Sequence, residues 1–533
     1  MSNGHSNNLD IDRTKCVFCG NCAERCVMDN IRLELAPCRN ACPLGQNCQA
    51  YIQQIARGQS DRALATILET NPFPGILGRI CHHPCESACS RGRVDGQAVA
   101  IRALKRMLAE KTSRPAPQQP LQEHTERVAI IGSGPAGLMA GWELRRKGYK
   151  VVIYEKNSIP GGNLTRVIPD FRLPMETAMA ELEWLKEWGI EFRTGVEVGK
   201  DIPFETIRSE NAAVIVAAGG GQSMRLGVEG EDYPNIYHAF QFLEAAKRGS
   251  PPALGNSVVV VGGGNAAVDA AQTAKRLGVS TVRLVCLERR DEMPAHPHCL
   301  EEALEEGVIT ECGWGSFKFT SADGIRADSL KCHLCLCVWQ NQCFMPQMDC
   351  EIERTFTADS FIIAIGDRPD RAFLQSTGLA DGNCSRASAH AVTLATGVAG
   401  VFAAGDVVSG PSSVVQAMAS GREAALSADR YIRGEDLLYG RNYPGPVLTD
   451  FAVRTDKAEK YPRQICSKLA PSERIGMRET NAVIGESEAR LESLRCLSCG
   501  VPVAYNDACW YCLPCEVSCP EQALRLEVPY PIR

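Results

Sequence analysis

One pattern, a strand followed by a glycine turn, a helix and another strand, occurs twice in this chain, about 130 residues apart. The first copy reads Val128-Ala129-Ile130-Ile131, then Gly132-Ser133-Gly134-Pro135-Ala136-Gly137, a helix closed by Gly148, and Val151-Val152-Ile153-Tyr154. The second reads Ser257 to Val261, then Gly262-Gly263-Gly264-Asn265-Ala266-Ala267, a helix, and Val282 to Leu287. Short unbroken apolar strands alternating with helices predict parallel sheets covered on both faces. Two copies predict an α/β chain with two Rossmann-like dinucleotide-binding domains.

In such a turn the glycines let the backbone approach a pyrophosphate, and the helix N-terminus supplies N–H donors and positive potential. Glu155 ends the second strand of the first copy, placed to accept a ribose hydroxyl, with Lys156 beside it. Aligned residue for residue, Glu288 takes that position in the second copy and is followed by Arg289 and Arg290. An acid there repels a 2′-phosphate, whereas arginines suit one. The acid is weighed more heavily, so NADH is preferred over NADPH. Far downstream, Val401-Phe402-Ala403-Ala404-Gly405-Asp406 reads as a strand running into a Gly-Asp turn. In two-dinucleotide flavoproteins such a segment returns to the first domain. Asp406 then meets the flavin ribityl chain, and Gln416-Ala417 open a helix with backbone N–H groups towards the flavin ring. FAD therefore belongs in the first site and the nicotinamide cofactor in the second.

The chain holds 26 cysteines. Four lie within residues 16–26, six within 38–89 and six within 496–519, and none falls between Cys89 and Cys286. Clusters at both ends around a cysteine-free stretch read as metal sites. Cys16-x2-Cys19-x2-Cys22-x3-Cys26 has the spacing of a ferredoxin cluster loop, with Val27 where proline normally follows. Zinc is the alternative, but zinc sites mostly pair two C-x2-C knuckles. Cys509-x2-Cys512-x2-Cys515-x3-Cys519-Pro520 is the bacterial ferredoxin run with its proline, preceded by Cys496-x2-Cys499. In two-cluster ferredoxins the fourth cysteine serves the other cluster, so Cys496, Cys499 and Cys519 would make three of four ligands there. Cys332, Cys335, Cys337, Cys343 and Cys350 alternate with apolar residues and read as thiols on a strand hairpin.

Further stretches carry a resemblance: Pro37-Cys38-Arg39-Asn40-Ala41-Cys42-Pro43, Gly78 to Cys89, Gly161-Gly162-Asn163-Leu164-Thr165, Ile168-Pro169-Asp170-Phe171-Arg172-Leu173-Pro174, and Arg289 to Pro294. Over residues 36–435 the chain resembles the small, flavin-containing subunit of bacterial glutamate synthase. The N-terminal half of dihydropyrimidine dehydrogenase and the large subunit of electron-bifurcating transhydrogenase belong to the same group. The resemblance implies FAD, a nicotinamide cofactor and 4Fe-4S clusters. It implies cofactor contacts at Gly162, Asn163, Leu164, Arg172 and Gly366. It also implies that Cys42 shares a cluster with Cys81 and Cys85, and that Cys38 shares another with Cys89, for which Cys48 is a further candidate ligand. Full members carry a C-x2-C just before the Cys38 position, where this chain has Arg32-Leu33-Glu34-Leu35.

These readings predict an NAD(P)H:acceptor electron-transfer flavoprotein with at least three clusters, working with a partner oxidoreductase subunit or a ferredoxin. The flavin would convert hydride into single electrons, and no protein acid or base is required. A bifurcating transhydrogenase-type subunit and a non-catalytic redox sensor or scaffold are the alternatives. Lys plus Arg is 57 against 63 for Asp plus Glu, a net charge of −6, which argues against nucleic-acid binding. No apolar run of 18 residues predicts a membrane span, and the polar start shows no secretory signal, so a cytoplasmic chain is expected. The expected domains are 1–35, an N-terminal ferredoxin-like module; 36–125, a helical iron–sulfur domain ending in the Pro-rich linker; 126–245 and 366–440, two parts of the FAD domain; 246–365, the NAD(P)H domain; and 441–533, a C-terminal ferredoxin-like module.

Overall fold

The computed structural model describes residues 9–341, 343–380, 382, 386–441, 443–453, 455, 458–505 and 509–526. It divides into two compact units. Met1–Pro117, Asp436–Ser467 and Val483–Arg533 make one, while Gln118–Glu435 and Lys468–Ala482 make the other.

The second unit contains two five-stranded parallel sheets. The first has the order Val401–Ala403, Ala213–Val216, Arg127–Ile131, Lys150–Glu155, Glu191–Thr194. The second has the order Ile309–Cys312, Thr281–Cys286, Ser257–Val261, Ser360–Ile363, Ile236–His238. Val128, Ala129, Ile130, Val259 and Val260 are fully buried, because a central parallel strand covered on both faces has no wet side. The Val259 face is covered by Phe317, Phe319, Leu330 and Phe356 of three antiparallel strands. Val401–Ala403 brings the late part of the chain back to the first sheet. Helix Val414–Ile432 then crosses Pro135–Arg146 so tightly that a Cβ on Gly421 would lie 2.0 Å from Ala136 O. Trp314–Thr320, Ser329–Gln340 and Cys343–Thr357 form an antiparallel sheet, with Cys332 buried on its middle strand and Cys343 and Cys350 exposed on its edge.

In the first unit, helices Cys48–Ala56, Ser60–Leu68 and Ile101–Lys111 enclose Tyr51, Ile55, Ile67, Leu104 and Leu108. The apolar spacing over Gln49–Leu68 predicts one helix. The chain instead breaks at Gly58, whose φ of +74° ends the first helix in the left-handed conformation that glycine adopts without steric penalty. The two chain ends, set apart as modules 1–35 and 441–533, share their sheets. Leu9–Ile11 pairs antiparallel with Leu524–Leu526, and Ile31–Glu34 with Pro502–Ala504. Short helices Asn21–Glu24 and Pro514–Val517 occupy matching places in the two halves, and Cys22, Ile31, Leu33, Cys515 and Leu524 pack in one small core.

Candidate functional site

Both glycine turns lie at the carboxyl ends of their sheets, where open parallel sheets bind ligands. At the first, a Cβ on Gly132 would stand 2.4 Å from Ala217 O, and one on Gly137 would stand 2.0 Å from Gly132 O, whereas Gly134 faces open space. That is a cradle only glycine permits, and it fits a pyrophosphate. Pro135 and Ala136 start the helix, the proline costing no hydrogen bond at its first turn. Gly162 abuts the turn, its Cβ position 2.9 Å from Gly134 Cα, and leads into Asn163 and buried Leu164. Glu155 is buried and accepts from Ser133 N (3.1 Å), Ser133 Oγ (2.6 Å) and Asn157 N (2.9 Å). Lys156 Nζ lies 3.8 Å from the Cβ position of Gly221, and Gly366 takes a φ of +105° beside Met224.

Gly405 (φ +74°) turns the late strand so that Asp406 is held by Ser412 Oγ at 2.6 Å, and burial pushes the Asp406 carboxyl above its ordinary range. Next to it is Asp367, which sequence reasoning missed. Burial, then the Asp406 charge, push its carboxyl up to about 6. Two expected contacts turn elsewhere. Gln416 N–H is directed to Ser413 Oγ and Ala417 N–H to Ser413 O, while the Gln416 side chain completes the capping box. Arg172 has its guanidinium engaged by Asp269, by Gln272 Oε1 at 2.5 Å and by Glu302 Oε2 at 3.5 Å. Its fork is satisfied inside the protein.

At the second turn, Gly262 Cβ would meet Ala364 O at 2.4 Å, and Gly264 faces open space. Ala266 lies in the first turn of the following helix, and Asn265 Oδ1 accepts from His296 N at 2.9 Å. The register corrects the residue-for-residue alignment. Gly262 N donates to Val285 O as Gly132 N does to Tyr154 O, so Cys286 stands where Glu155 does, and Glu288, two residues later, folds back onto Gly263. Arg289 and Arg290 are exposed and reach Leu336 O (3.2 Å) and Thr310 Oγ1 (2.8 Å).

The candidate cysteines gather in groups. Cys16, Cys19, Cys22 and Cys519 line one hollow. Cys515 has Cys26 and Cys509 as charged neighbours, and Cys512 belongs to the same run. Cys42, Cys48, Cys81 and Cys85 are neighbours of buried Lys105, and the Cys48 thiol meets both Cys85 and Cys38. Cys38, Cys89, Cys496 and Cys499 line another hollow. This corrects the sequence-based pairing: Cys26 leaves its own run and Cys519 leaves Cys496 and Cys499. The reason is the shared sheets, which carry the fourth cysteine of each run to the opposite half. There Cys26 Sγ accepts from Asn30 N and Cys519 Sγ from Ala523 N, both at 3.2 Å. Among the described residues no three His, Cys, Asp or Glu side chains converge on a single-ion site. Two of the groups ring hollows, and burial pushes the Cys22 thiol up to about 12. Thiol-only donor sets around a hollow fit iron–sulfur clusters.

Two glycine turns, each with an acid folded onto it, in one unit, and cysteine-lined hollows in the other, define an NAD(P)H-dependent FAD oxidoreductase with an iron–sulfur domain. A family model described as pyridine nucleotide-disulphide oxidoreductase matches residues 126–421. One described as dihydropyrimidine dehydrogenase domain II, 4Fe-4S cluster, matches residues 12–116. The chain belongs to the pyridine nucleotide-disulphide oxidoreductase family. It is similar to the NADP(+)-dependent formate dehydrogenase subunit beta of Moorella thermoacetica, 34% identical over 87% of this chain and 70% of that protein. It is similar to the glutamate synthase [NADPH] small chain of Mycobacterium tuberculosis, 32% identical over 77% and 87%. It is also similar to the NAD-dependent dihydropyrimidine dehydrogenase subunit PreT of Escherichia coli, 31% identical over 75% and 92%. The resemblance to the glutamate synthase small-subunit group therefore holds. Among solved structures, FprA from Mycobacterium tuberculosis matches with a TM-score of 0.51 and 16% identity, over 58% of this chain and 85% of that one, which supports the fold. No helix among the described residues is long and apolar enough to cross a membrane.

Proposed function

We propose that this chain is the flavoprotein subunit of a larger oxidoreductase. It exchanges hydride between NADH and FAD and passes electrons singly through at least three 4Fe-4S clusters, to or from a partner subunit or a ferredoxin. When bound, the flavin supplies the conversion between a two-electron hydride and one-electron carriers. The observation that carries the reading is the hollow in which Cys519 joins Cys16, Cys19 and Cys22, next to a sheet pairing that treats both chain ends alike. Cross-ligation of that kind is the ferredoxin pattern.

Gly132, Gly134, Gly137 and Gly162 would admit the FAD pyrophosphate, Glu155 would meet its ribose, and Asp406 its ribityl chain. Gly262, Gly264 and Glu288 would hold the nicotinamide cofactor. The ligand sets are Cys16, Cys19, Cys22 and Cys519; Cys26, Cys509, Cys512 and Cys515; and Cys42, Cys48, Cys81 and Cys85. NADH is favoured because the Glu288 carboxylate packs on the turn, while Arg289 and Arg290 are engaged on the outer surface. The relatives' own names are divided between NADP and NAD. Those names also describe subunits and chains of larger enzymes, which supports a partner.

The test is anaerobic titration of the full chain with NADH. Flavin bleaching and the appearance of reduced-cluster EPR signals are expected, faster with NADH than with NADPH. A chain that holds no flavin or iron, or whose flavin ignores both cofactors, overturns the reading.

A further inference from the structure

Cys496 and Cys499 sit in the helical domain, although their segment follows the rest of that domain by about 400 residues. Arg495 fastens them there. It is fully buried and donates to Gln97 O (2.7 Å), Ala98 O (2.9 Å), Glu492 Oε1 (2.7 Å), Asp95 Oδ1 (3.1 Å) and Tyr461 O (3.1 Å). Glu492 accepts in turn from Ala100 N (2.8 Å) and Gln464 N (2.7 Å). Gln49 Nε2 donates to Gly500 O at 2.8 Å, on the far side of the C-x2-C turn. A buried guanidinium with its donors used on both sides fixes register as well as position. Ile484 and Ala489, from the same segment, share a core with Tyr51 and Leu104.

The result is one apolar hollow whose wall holds Cys38, Cys89, Cys496 and Cys499. A second observation points to a ligand. Each thiol group contains a non-glycine residue held left-handed two places after one of its cysteines: Phe18 (φ +53°), His83 (+49°), Ser498 (+50°) and Tyr511 (+54°). Such conformations persist where the surroundings require them. The turn aims a backbone N–H at the sulfur. Phe18 N is 3.4 Å from Cys16 Sγ and His83 N is 3.4 Å from Cys81 Sγ, and Ser498 N–H is directed likewise to Cys496. N–H donors of this kind favour a thiolate over a thiol.

We infer that Cys496 and Cys499 are the two missing ligands of the cluster for which the resemblance gives Cys38 and Cys89, so that this 4Fe-4S cluster of the helical domain is completed from the far end of the chain. Arg32-Leu33-Glu34-Leu35 offers no thiols, and Ile31–Glu34 is instead the strand that pairs with Pro502–Ala504. The downstream C-x2-C supplies what they lack. This rests on the cluster reading above.

The experiment uses the full chain, reconstituted anaerobically, with iron analysis and EPR on alanine variants. Cys496→Ala, Cys499→Ala and Cys38→Ala are each expected to lose about four iron atoms and the same EPR component. The Cys38→Ala/Cys496→Ala double variant should lose no more than either single. Cys81→Ala/Cys496→Ala should lose about eight, because Cys81 serves another group. Flavin content reports folding. Where an alanine variant loses its flavin, serine, isosteric with the thiol, replaces it and should shift one and the same EPR component at positions 38, 89, 496 and 499. Unchanged iron and EPR in a Cys496/Cys499 double variant, or additive losses for Cys38 and Cys496, overturn the inference. A wild-type chain without iron would defeat the cluster reading itself.

Discussion

The carboxylate of Glu288 rests on Gly263: a Cβ built on Gly263 would stand 2.6 Å from Glu288 Oε2. Ser133 takes the same place in the first turn and donates twice to Glu155. Both acids fold back onto the residue between the first two glycines, Glu155 from the last position of its strand and Glu288 from two residues beyond the end of Thr281–Cys286. The first turn offers that acid a hydroxyl, whereas Gly263 has no side chain to offer. A carboxylate so placed accepts from a ribose 2′-hydroxyl and repels a 2′-phosphate.

Glu288→Tyr is therefore expected to raise the NADPH-to-NADH ratio of flavin-reduction rates by tenfold or more. Two unit charges about 4 Å apart interact by roughly 4 kcal/mol at an effective dielectric of about 20. About 1.4 kcal/mol of that already makes a tenfold change. Stopped-flow bleaching with each cofactor measures the ratio. A wild type that prefers NADPH, or a ratio the substitution leaves unmoved, removes Glu288 as the discriminator.

Arg172 joins the Ile168–Pro174 loop to Asp269, Gln272 and Glu302. Glu302 has a second cation in Lys468 at 3.0 Å, but the carboxyl of Asp269 is buried and pushed up by that burial, with Arg172 opposing the push. Arg172→Met leaves Asp269 without its cation, at a cost on the order of 3 kcal/mol. Arg172→Lys should restore little, since one ammonium cannot reproduce a fork that meets Asp269 and Gln272 together. Thermal melting of the full chain followed by flavin fluorescence should show the midpoint falling by several degrees in both variants. An unchanged midpoint in Arg172→Met would contradict it.

Local signals in the sequence sufficed for the α/β architecture. Gly132, Gly137 and Gly262 stand where backbone carbonyls approach within 2.4 Å of a Cβ position, and such contacts select glycine directly. The strand end places Glu155, whereas Glu288 reaches the turn from two residues beyond its strand, a fold-back that alignment does not show. What spacing does not encode is which thiols meet. Cys519 joins Cys16 only because Leu9–Ile11 pairs with Leu524–Leu526, and Cys496 joins Cys38 only because Arg495 finds Asp95 and Ala98. Contacts across about 400 residues leave no periodic trace. Arg172 and Gln416 mislead for a related reason. Polar residues in a ligand-binding motif serve the ligand or the scaffold, and only the partners distinguish the two.

Asp367 gives a pH dependence. Its carboxyl is pushed up to about 6, against an ordinary value of 3.8, by burial and then by Asp406. Between those values the folded chain keeps a proton that the unfolded chain has released. This residue's contribution to stability is thus fully present below about pH 4 and is lost as pH rises through 6. Two units correspond to about 3 kcal/mol. Asp367→Asn, in the full chain depleted of flavin, should match wild type near pH 4 and exceed it in melting temperature by a growing margin up to about pH 6.5. Parallel profiles for the two proteins would show that Asp367 ionises normally.

Lys105 is buried on helix Ile101–Lys111 with Cys81, Cys85, Cys42 and Cys48 as its charged neighbours. Burial works against its charge and the sulfurs sustain it. Once those cysteines hold a cluster, adding an electron makes the site more negative, and a nearby cation favours the reduced form. Net charge and burial are the levers by which proteins set cluster potentials. A unit charge at roughly 8 Å and an effective dielectric of about 20 is worth on the order of 2 kcal/mol. For a one-electron couple that is roughly 90 mV, taking 59 mV per tenfold change. Lys105→Met keeps the stem that packs against the helical core and removes the charge, so the reduction potential of this cluster should fall by tens of millivolts. Lys105→Arg should keep it near the wild-type value. EPR-monitored redox titration of the full chain resolves the shift as movement of one component with the others fixed. If Lys105→Met leaves every potential in place, the ammonium is a packing group; if all components move together, its influence is not local to Cys42, Cys48, Cys81 and Cys85.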